Sequence, residues 1–145
     1  KINKDEIFSK VYDSFSFERM RLLGYCLNEK MKVLPDDHTA YISITQEELK
    51  RYNYQIGDTE GFVNYPLSIT GVQFTALFIE KEDEIKISFR SKGDFPANLF
   101  SRDNFNGGGH MNAAGGYSKL TLEETIGRFV DVLKKYKHYF TKNEN

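Results

Sequence analysis

Val72-Gln73-Phe74-Thr75-Ala76-Leu77-Phe78-Ile79-Glu80, then Lys81-Glu82-Asp83-Glu84, then Ile85-Lys86-Ile87-Ser88-Phe89-Arg90: two β-rich runs are joined by a short charged link just after Gly71. Aromatic and aliphatic residues dominate the runs and only polar ones the link, so the pair predicts an antiparallel hairpin. The centre of a sheet is expected there. Upstream, Pro35-Asp36-Asp37-His38 is a turn and Thr39 to Ile44 alternates as a strand, after which Thr45 caps a short helix from Gln46 to Arg51 that Gly57-Asp58 breaks. Ile7, Phe8, Val11 and Tyr12 fall at helical spacing. Ser14 or Ser16 then caps a second helix carrying Met20, Leu23, Leu27 and Met31 on one face. Downstream of a Gly/Pro-marked stretch, Tyr117-Ser118-Lys119-Leu120 suggests a last short strand. Thr121 caps a helix with Glu123 and Glu124 in its first turn, and with Ile126, Phe129, Val130 and Leu133 on one face. Lys134, Lys135 and Lys137 suit the dipole at its end, and the tail from Thr141 to Asn145 is expected to fray. The whole is an α/β domain, a mixed β-sheet flanked by helices, spanning residues 1–145 as a single domain.

The bulk numbers agree. A chain of 145 residues, 39% apolar and 14% aromatic, can bury a real core. Twenty Lys and Arg against 21 Asp and Glu leave a formal net charge of −1, so any attraction to an anion must be local. No apolar run approaches the roughly 20 residues needed to cross a bilayer, which predicts no membrane partner. The single cysteine, Cys26, sits in a helical apolar pattern and is expected to be a small core residue in a reducing, cytoplasmic compartment. A start at Lys1, without methionine, going straight into Lys4-Asp5-Glu6-Ile7-Phe8, is expected of a piece cut from a longer protein at a linker.

The most informative residues are Gly107-Gly108-Gly109-His110-Met111-Asn112-Ala113-Ala114-Gly115-Gly116, which hold five of the eleven glycines. Consecutive glycines are costly in chain entropy but remove every side chain between the backbone and a ligand. If such a loop leads into a helix, its N–H groups and the helix N-terminus favour an anion, with His110 at the edge as a donor and Asn112 nearby. A flexible surface loop with a satisfied histidine is the plain alternative. No Gly-Lys-Ser/Thr follows and no G-x-G-x-x-G opens a βαβ unit, so neither common nucleotide fold is supported. A second anion candidate is Arg90-Ser91-Lys92 at the end of the hairpin: a guanidinium there is well built to grip a phosphate from two sides, with Lys92 as the looser partner. The third candidate is Asp58-Thr59-Glu60-Gly61-Phe62-Val63-Asn64-Tyr65-Pro66-Leu67. Phe62, Val63 and Leu67 are expected to pack inward, leaving Asn64 and Tyr65 to face a ligand.

Gly107-Gly108-Gly109-His110 with Ala113-Ala114-Gly115 resembles the signature of the DHH-associated C-terminal domain, first subtype, over nearly the whole chain. Ser88-Phe89-Arg90-Ser91 is similar to that family's strand ending in arginine. Thr59 to Leu67 resembles the subgroup of bifunctional oligoribonucleases and adenosine 3′,5′-bisphosphate phosphatases. The resemblance implies that this is the C-terminal half of a two-domain phosphoesterase. An N-terminal domain with an Asp-His-His motif would then hold Mn2+ or a similar divalent ion and activate water. It further implies that Arg90, the amides of Gly108 and Gly109, and His110 contact phosphate or a terminal nucleotide of short RNA. A homodimer of the parent stays open. His38, His110 and His138 are scattered, and no H-x-x-x-H, Asp-x-Asp or Asp-His-His cluster is present, so no cofactor and no catalytic residue is expected within this chain, which alone is expected to be inactive. Other functions stay open. They are a cyclic-dinucleotide phosphodiesterase, a single-strand exonuclease, a non-catalytic nucleic-acid-binding appendage, which the near-zero net charge disfavours, and a pure assembly domain.

Overall fold

The computed structural model describes residues 15–141. The predicted hairpin is there, as β3 (Phe74–Glu80) and β4 (Ile85–Ser91), paired antiparallel with Ala76 opposite Phe89 and Phe78 opposite Ile87. It lies at the middle of a six-stranded sheet. In chain order the other elements are α1 (Phe17–Tyr25), β1 (Met31–Leu34), β2 (Thr39–Ile44), α2 (Gln46–Arg51), α3 (Ala97–Asn104), β5 (Gly108–His110), β6 (Ala113–Ser118) and α4 (Leu122–Leu133). The strands run β1-β2-β3-β4-β6-β5 across the sheet. Only β2 and β3 pair in parallel, and α2 with a 3-10 helix (Phe62–Ser68) lies in the connection between them. The sheet is mixed and the fold is α/β.

Capping explains where several helices start. The Ser16 hydroxyl accepts the Arg19 N–H at 3.0 Å, which selects Ser16 over Ser14 as the cap of α1. Thr45 and Thr121 both form full capping boxes, with Glu48 and Glu124 returning the bond to the cap N–H. Pro96 stands in the cap position of α3, where its missing N–H costs nothing. That helix falls in the stretch expected only to be Gly/Pro-marked.

The sheet has two unlike faces. One is covered along its length by α3 and α4, and the interior there is largely phenylalanine. Phe74 lies within it, with ring centroids 4.1 Å from Phe95, 4.9 Å from Phe100 and 5.9 Å from Phe129. On the other face, Leu22, Leu23 and Cys26 of the N-terminal helical segment and Phe62 and Val63 of the 3-10 helix cover Ile42, Ile44, Leu77 and Ile79. This second cover lies over the β1-β2-β3 half, and its 3-10 helix reaches β4. Within it, Glu48 is buried beside Lys30 (3.1 Å) and accepts the Tyr25 hydroxyl and the Thr45 N–H. Burial alone pushes the Glu48 carboxyl up, but the bonds from Tyr25, Thr45 and Lys30 outweigh it, and its pKa lies below the usual value. Burial pushes the Cys26 thiol up to about 12, in keeping with a core residue rather than a reactive one.

Several expectations change. The second helix does not carry Met31 on its face. A π-helical turn (Cys26–Lys30) follows α1 and Met31 opens strand β1, which pairs with β2 and went unread because only four residues mark it. The buried positions of α1 are Leu22 and Leu23, while Met20 is exposed. Helix α2 stops at Arg51 with Asn53 left-handed (φ 52°), before Gly57-Asp58 is reached. The last strand starts at Ala113 rather than Tyr117 and ends at Ser118, leaving Lys119 and Leu120 outside it. Helix α4 ends at Leu133, so the lysines lie in the following 3-10 run, where Lys137 pairs with Asp37 at 3.2 Å. Thr141 is held rather than frayed: its N–H and C=O both bond the Gln73 side chain, at 3.0 and 3.1 Å. The helix expected from Ile7 to Tyr12 lies outside the described residues.

Candidate functional site

The 3-10 helix reaches as far as β4, but among the described residues the helices that pack on β1 to β3 do not cover the second face over β6 and β5. Strand alternation dictates what it displays. Along β4, Lys86, Ser88 and Arg90 share the face, while Ile85, Ile87, Phe89 and Ser91 point into the phenylalanine core. Register carries each row across the neighbouring strands. Arg90 pairs with Ala113, and Ala113 with His110. Ser88 pairs with Gly115, and Gly115 with Gly108. Lys86 pairs with Tyr117. Arg90 and His110 are therefore two strands apart in one row, about 10 Å between backbones, and beside them runs a strip whose floor at Gly115 and Gly108 has no side chains.

The glycine cluster proves to be a tight hairpin and not a loop entering a helix. β5 is an edge strand, and His110 and Ala113 close a two-residue turn of Met111 and Asn112. No helix N-terminus contributes to an anion site here, because the chain after Gly109 turns back as β6. The glycines also divide by face. A Cβ on Gly107 would lie 1.8 Å from the Gly115 carbonyl oxygen, and one on Gly116 2.5 Å from the Phe105 carbonyl oxygen, because α3 packs directly on this hairpin. Gly109 has φ +143° and its Cβ would meet the Ala113 carbonyl at 2.8 Å. These three are needed for close packing. Gly108 is different: a Cβ there meets nothing within 4 Å, and at Gly115 only the Ile87 carbonyl at 3.5 Å.

Ser91 does not face the open side. It is buried, its hydroxyl donates to the Phe95 carbonyl at 2.7 Å and accepts the Asn112 amide at 2.9 Å. The backbone adds to this tie, since the Ser91 N–H bonds the Asn112 carbonyl at 3.0 Å and the Ala97 N–H bonds the Met111 carbonyl at 2.7 Å. Ser91 and Asn112 thus fasten the hairpin carrying His110 to the end of β4 rather than presenting donors of their own. Lys92 extends away to bond the Leu67 carbonyl at 2.9 Å. Asn64 and Tyr65 are exposed on the 3-10 helix as expected, with Phe62 and Val63 beneath them in the core and Leu67 half-buried. Arg90 is half-buried, with one guanidinium nitrogen donating to the Phe89 carbonyl at 2.8 Å. Among the described residues no carboxylate pairs with it.

Arg90 opens onto a cleft of about 390 Å³ between the open face and residues 54–63. Its charged lining is Lys81, Lys86 and Arg90 against one carboxylate, Glu60. A chain of net charge −1 therefore concentrates cations at this place. Lys86 and Ser88 were not singled out from the sequence, although their alternation with Arg90 puts them on its face. Among the described residues no three His, Cys, Asp or Glu side chains converge as a metal cage requires, so these residues do not fit the divalent ion that the resemblance implies. Among them also, no helix is long and apolar enough to cross a membrane.

The sequence model of the DHHA1 domain matches residues 39–138. The bifunctional oligoribonuclease and PAP phosphatase NrnA of Bacillus subtilis (strain 168) is 26% identical over 113 residues, which make up 78% of this chain and 34% of that protein. The probable bifunctional oligoribonuclease and PAP phosphatase NrnA of Streptococcus mutans is 30% identical over 125 residues, 84% of this chain and 39% of the relative. The chain thus spans between a third and two-fifths of the length of these relatives. The crystal structure of an exopolyphosphatase-related protein from Bacteroides fragilis superposes with a TM-score of 0.89 at 49% identity, over 94% of this chain and 40% of that one.

Proposed function

This chain belongs to the DHHA1 domain family, and from that premise we propose that it is the substrate-binding domain of a phosphoesterase that hydrolyses short oligoribonucleotides and adenosine 3′,5′-bisphosphate. The names of the two NrnA relatives support the substrate class. The observation that carries the reading is Arg90, without an ion-pair partner among the described residues, in one row with His110 and beside the bare strip of Gly108 and Gly115. In this reading the guanidinium fork takes two oxygens of a phosphate and fixes its orientation. His110 donates from the far side of the row. Gly108 and Gly115 let the sugar-phosphate lie against backbone. Ser91 and Asn112 hold the hairpin in place, and Lys92, Asn64 and Tyr65 form the outer rim. A DHH domain of the same polypeptide, preceding this one, supplies the metal site and the attacking water; the fraction of the relatives' length covered here supports it.

Calorimetric titration of the chain with adenosine 3′,5′-bisphosphate tests this. Arg90→Ala should weaken binding by about 1.5–3 kcal/mol, the worth of a charge-assisted bond, or roughly ten- to a hundredfold. Unchanged affinity in Arg90→Ala would remove the phosphate grip from the reading. The 49% identity to a protein described as exopolyphosphatase-related favours a second substrate, polyphosphate, which the same cations would hold. Tripolyphosphate binding more tightly than the bisphosphate would select it.

A further inference from the structure

The open face continues past the phosphate-gripping row, and its far end is built of different chemistry. Four residues along β4 from Arg90 stands Lys86, about 13 Å away at the rise of an antiparallel strand. Its partner across the β4-β6 pair is Tyr117, an aromatic ring 37% exposed on a strand whose neighbouring position, Gly116, lies under α3. The ring is held in place: Lys119 lies 5.7 Å from its centroid and is in turn paired with Glu84 at 3.2 Å. Between the two ends lies the Ser88-Gly115-Gly108 row, where no bulky side chain rises from the sheet. An exposed ring, a cation beside it and a bare channel leading to a second cation are the parts of a single-strand nucleic-acid platform, in which bases stack on rings and phosphates follow the charges.

We propose that Tyr117 and Lys86 form a second nucleotide subsite, so that this face binds an extended oligonucleotide rather than one nucleotide. The unit at Arg90 and His110 is held by its phosphate, the chain crosses the Gly108-Gly115 strip, and the base of a following unit stacks on Tyr117 with its phosphate beside Lys86. This rests on the proposed function and adds to it a preference for length. It separates oligonucleotides from polyphosphate, which has no base to stack.

The test uses the full chain and two probes, adenosine 3′,5′-bisphosphate and tetra-adenylate RNA, with affinity read by calorimetry and expressed as the ratio of the two. Wild type should favour the tetranucleotide. Tyr117→Ala should cut that ratio about tenfold, the range of one base stacked on one ring, while Tyr117→Phe keeps it. Lys86→Gln should lower the ratio and flatten the salt dependence of tetranucleotide binding by about one phosphate's worth. Thermal unfolding midpoints establish that each variant is folded, and Tyr117→Leu, which keeps bulk but has no ring, stands in with the same expected loss where the alanine variant is not. A ratio unmoved by Tyr117→Ala, or a wild type indifferent to length, overturns the second subsite while leaving the phosphate grip. Absence of binding by either probe to wild type overturns both.

Discussion

Gly107 and Gly108 are chemically identical neighbours, and the structure assigns them opposite fates on substitution. A methyl on Gly107 would lie 1.8 Å from the Gly115 carbonyl oxygen, 2.4 Å from the Ser101 hydroxyl and 2.6 Å from the Gly116 Cα. Two of these are backbone atoms of β6, and the hydroxyl is already bonded to the Gly115 carbonyl at 2.6 Å. The two backbone atoms cannot rotate away, so relief requires the chain at Gly107 to move off β6. Overpacking a core costs about 1–3 kcal/mol where side chains yield; with backbone on the far side, Gly107→Ala should cost at least the upper figure. For a domain of this size each kcal/mol is about 3 °C of Tm, giving a fall of roughly 10 °C. A Cβ on Gly108 meets nothing within 4 Å and valine suits a strand, so Gly108→Val should stay within about 0.5 kcal/mol of wild type. Its isopropyl group would, however, stand on the bare strip and block the bisphosphate. Thermal and urea unfolding, followed by bisphosphate titration of each variant, should therefore show stability lost at one position and binding lost at the next. Equal destabilisation at both would refute the alternation on which the site is built. A Gly108→Val protein that folds and binds as wild type would refute the strip as the place where substrate lies.

Two further outcomes test the covered half of the same face. Cys26 is fully buried with its thiol pushed up to about 12, so iodoacetamide at neutral pH should label it only in urea; labelling of the native chain at the rate of a free thiol would contradict the packing. Glu48 has a lowered pKa, so the unfolded chain takes its proton first on acidification. The stability it contributes is complete above the ordinary glutamate range, near pH 4.3, and is lost as pH falls through the lower native value. Glu48→Gln should therefore cost most at pH 7 and progressively less below about pH 4, read from urea midpoints, and a deficit constant with pH would show that the ionised carboxylate is not what stabilises the fold.

Much of this was visible in the amino-acid order because it depends on neighbours in the chain. The β3-β4 hairpin follows from two β-rich runs and a charged link, and the caps at Ser16, Thr45 and Thr121 from hydroxyls placed before helical spacing. The burial of Cys26, Phe62 and Val63 follows from apolar pattern. The phosphate-seeking character of Arg90 and His110 came from residue type and family resemblance. What failed was whatever a distant segment decides. Three glycines in a row are consistent with a loop, yet Gly108 and Gly109 became part of an edge strand because β6 pairs with them, while α3 packs against Gly107. Met31 to Leu34 became a strand because β2 offered an edge. Ser91, polar and next to Arg90, read as a ligand group, but alternation turns it into the core to hold the hairpin. The sequence by itself determined the central hairpin and the helix caps, and it nominated Arg90 and His110 for an anion. Only the tertiary structure decided which candidate residues share a surface, because a strand sends successive side chains to opposite faces and the pairing of β4 with β6 and β5 selects the rows that meet.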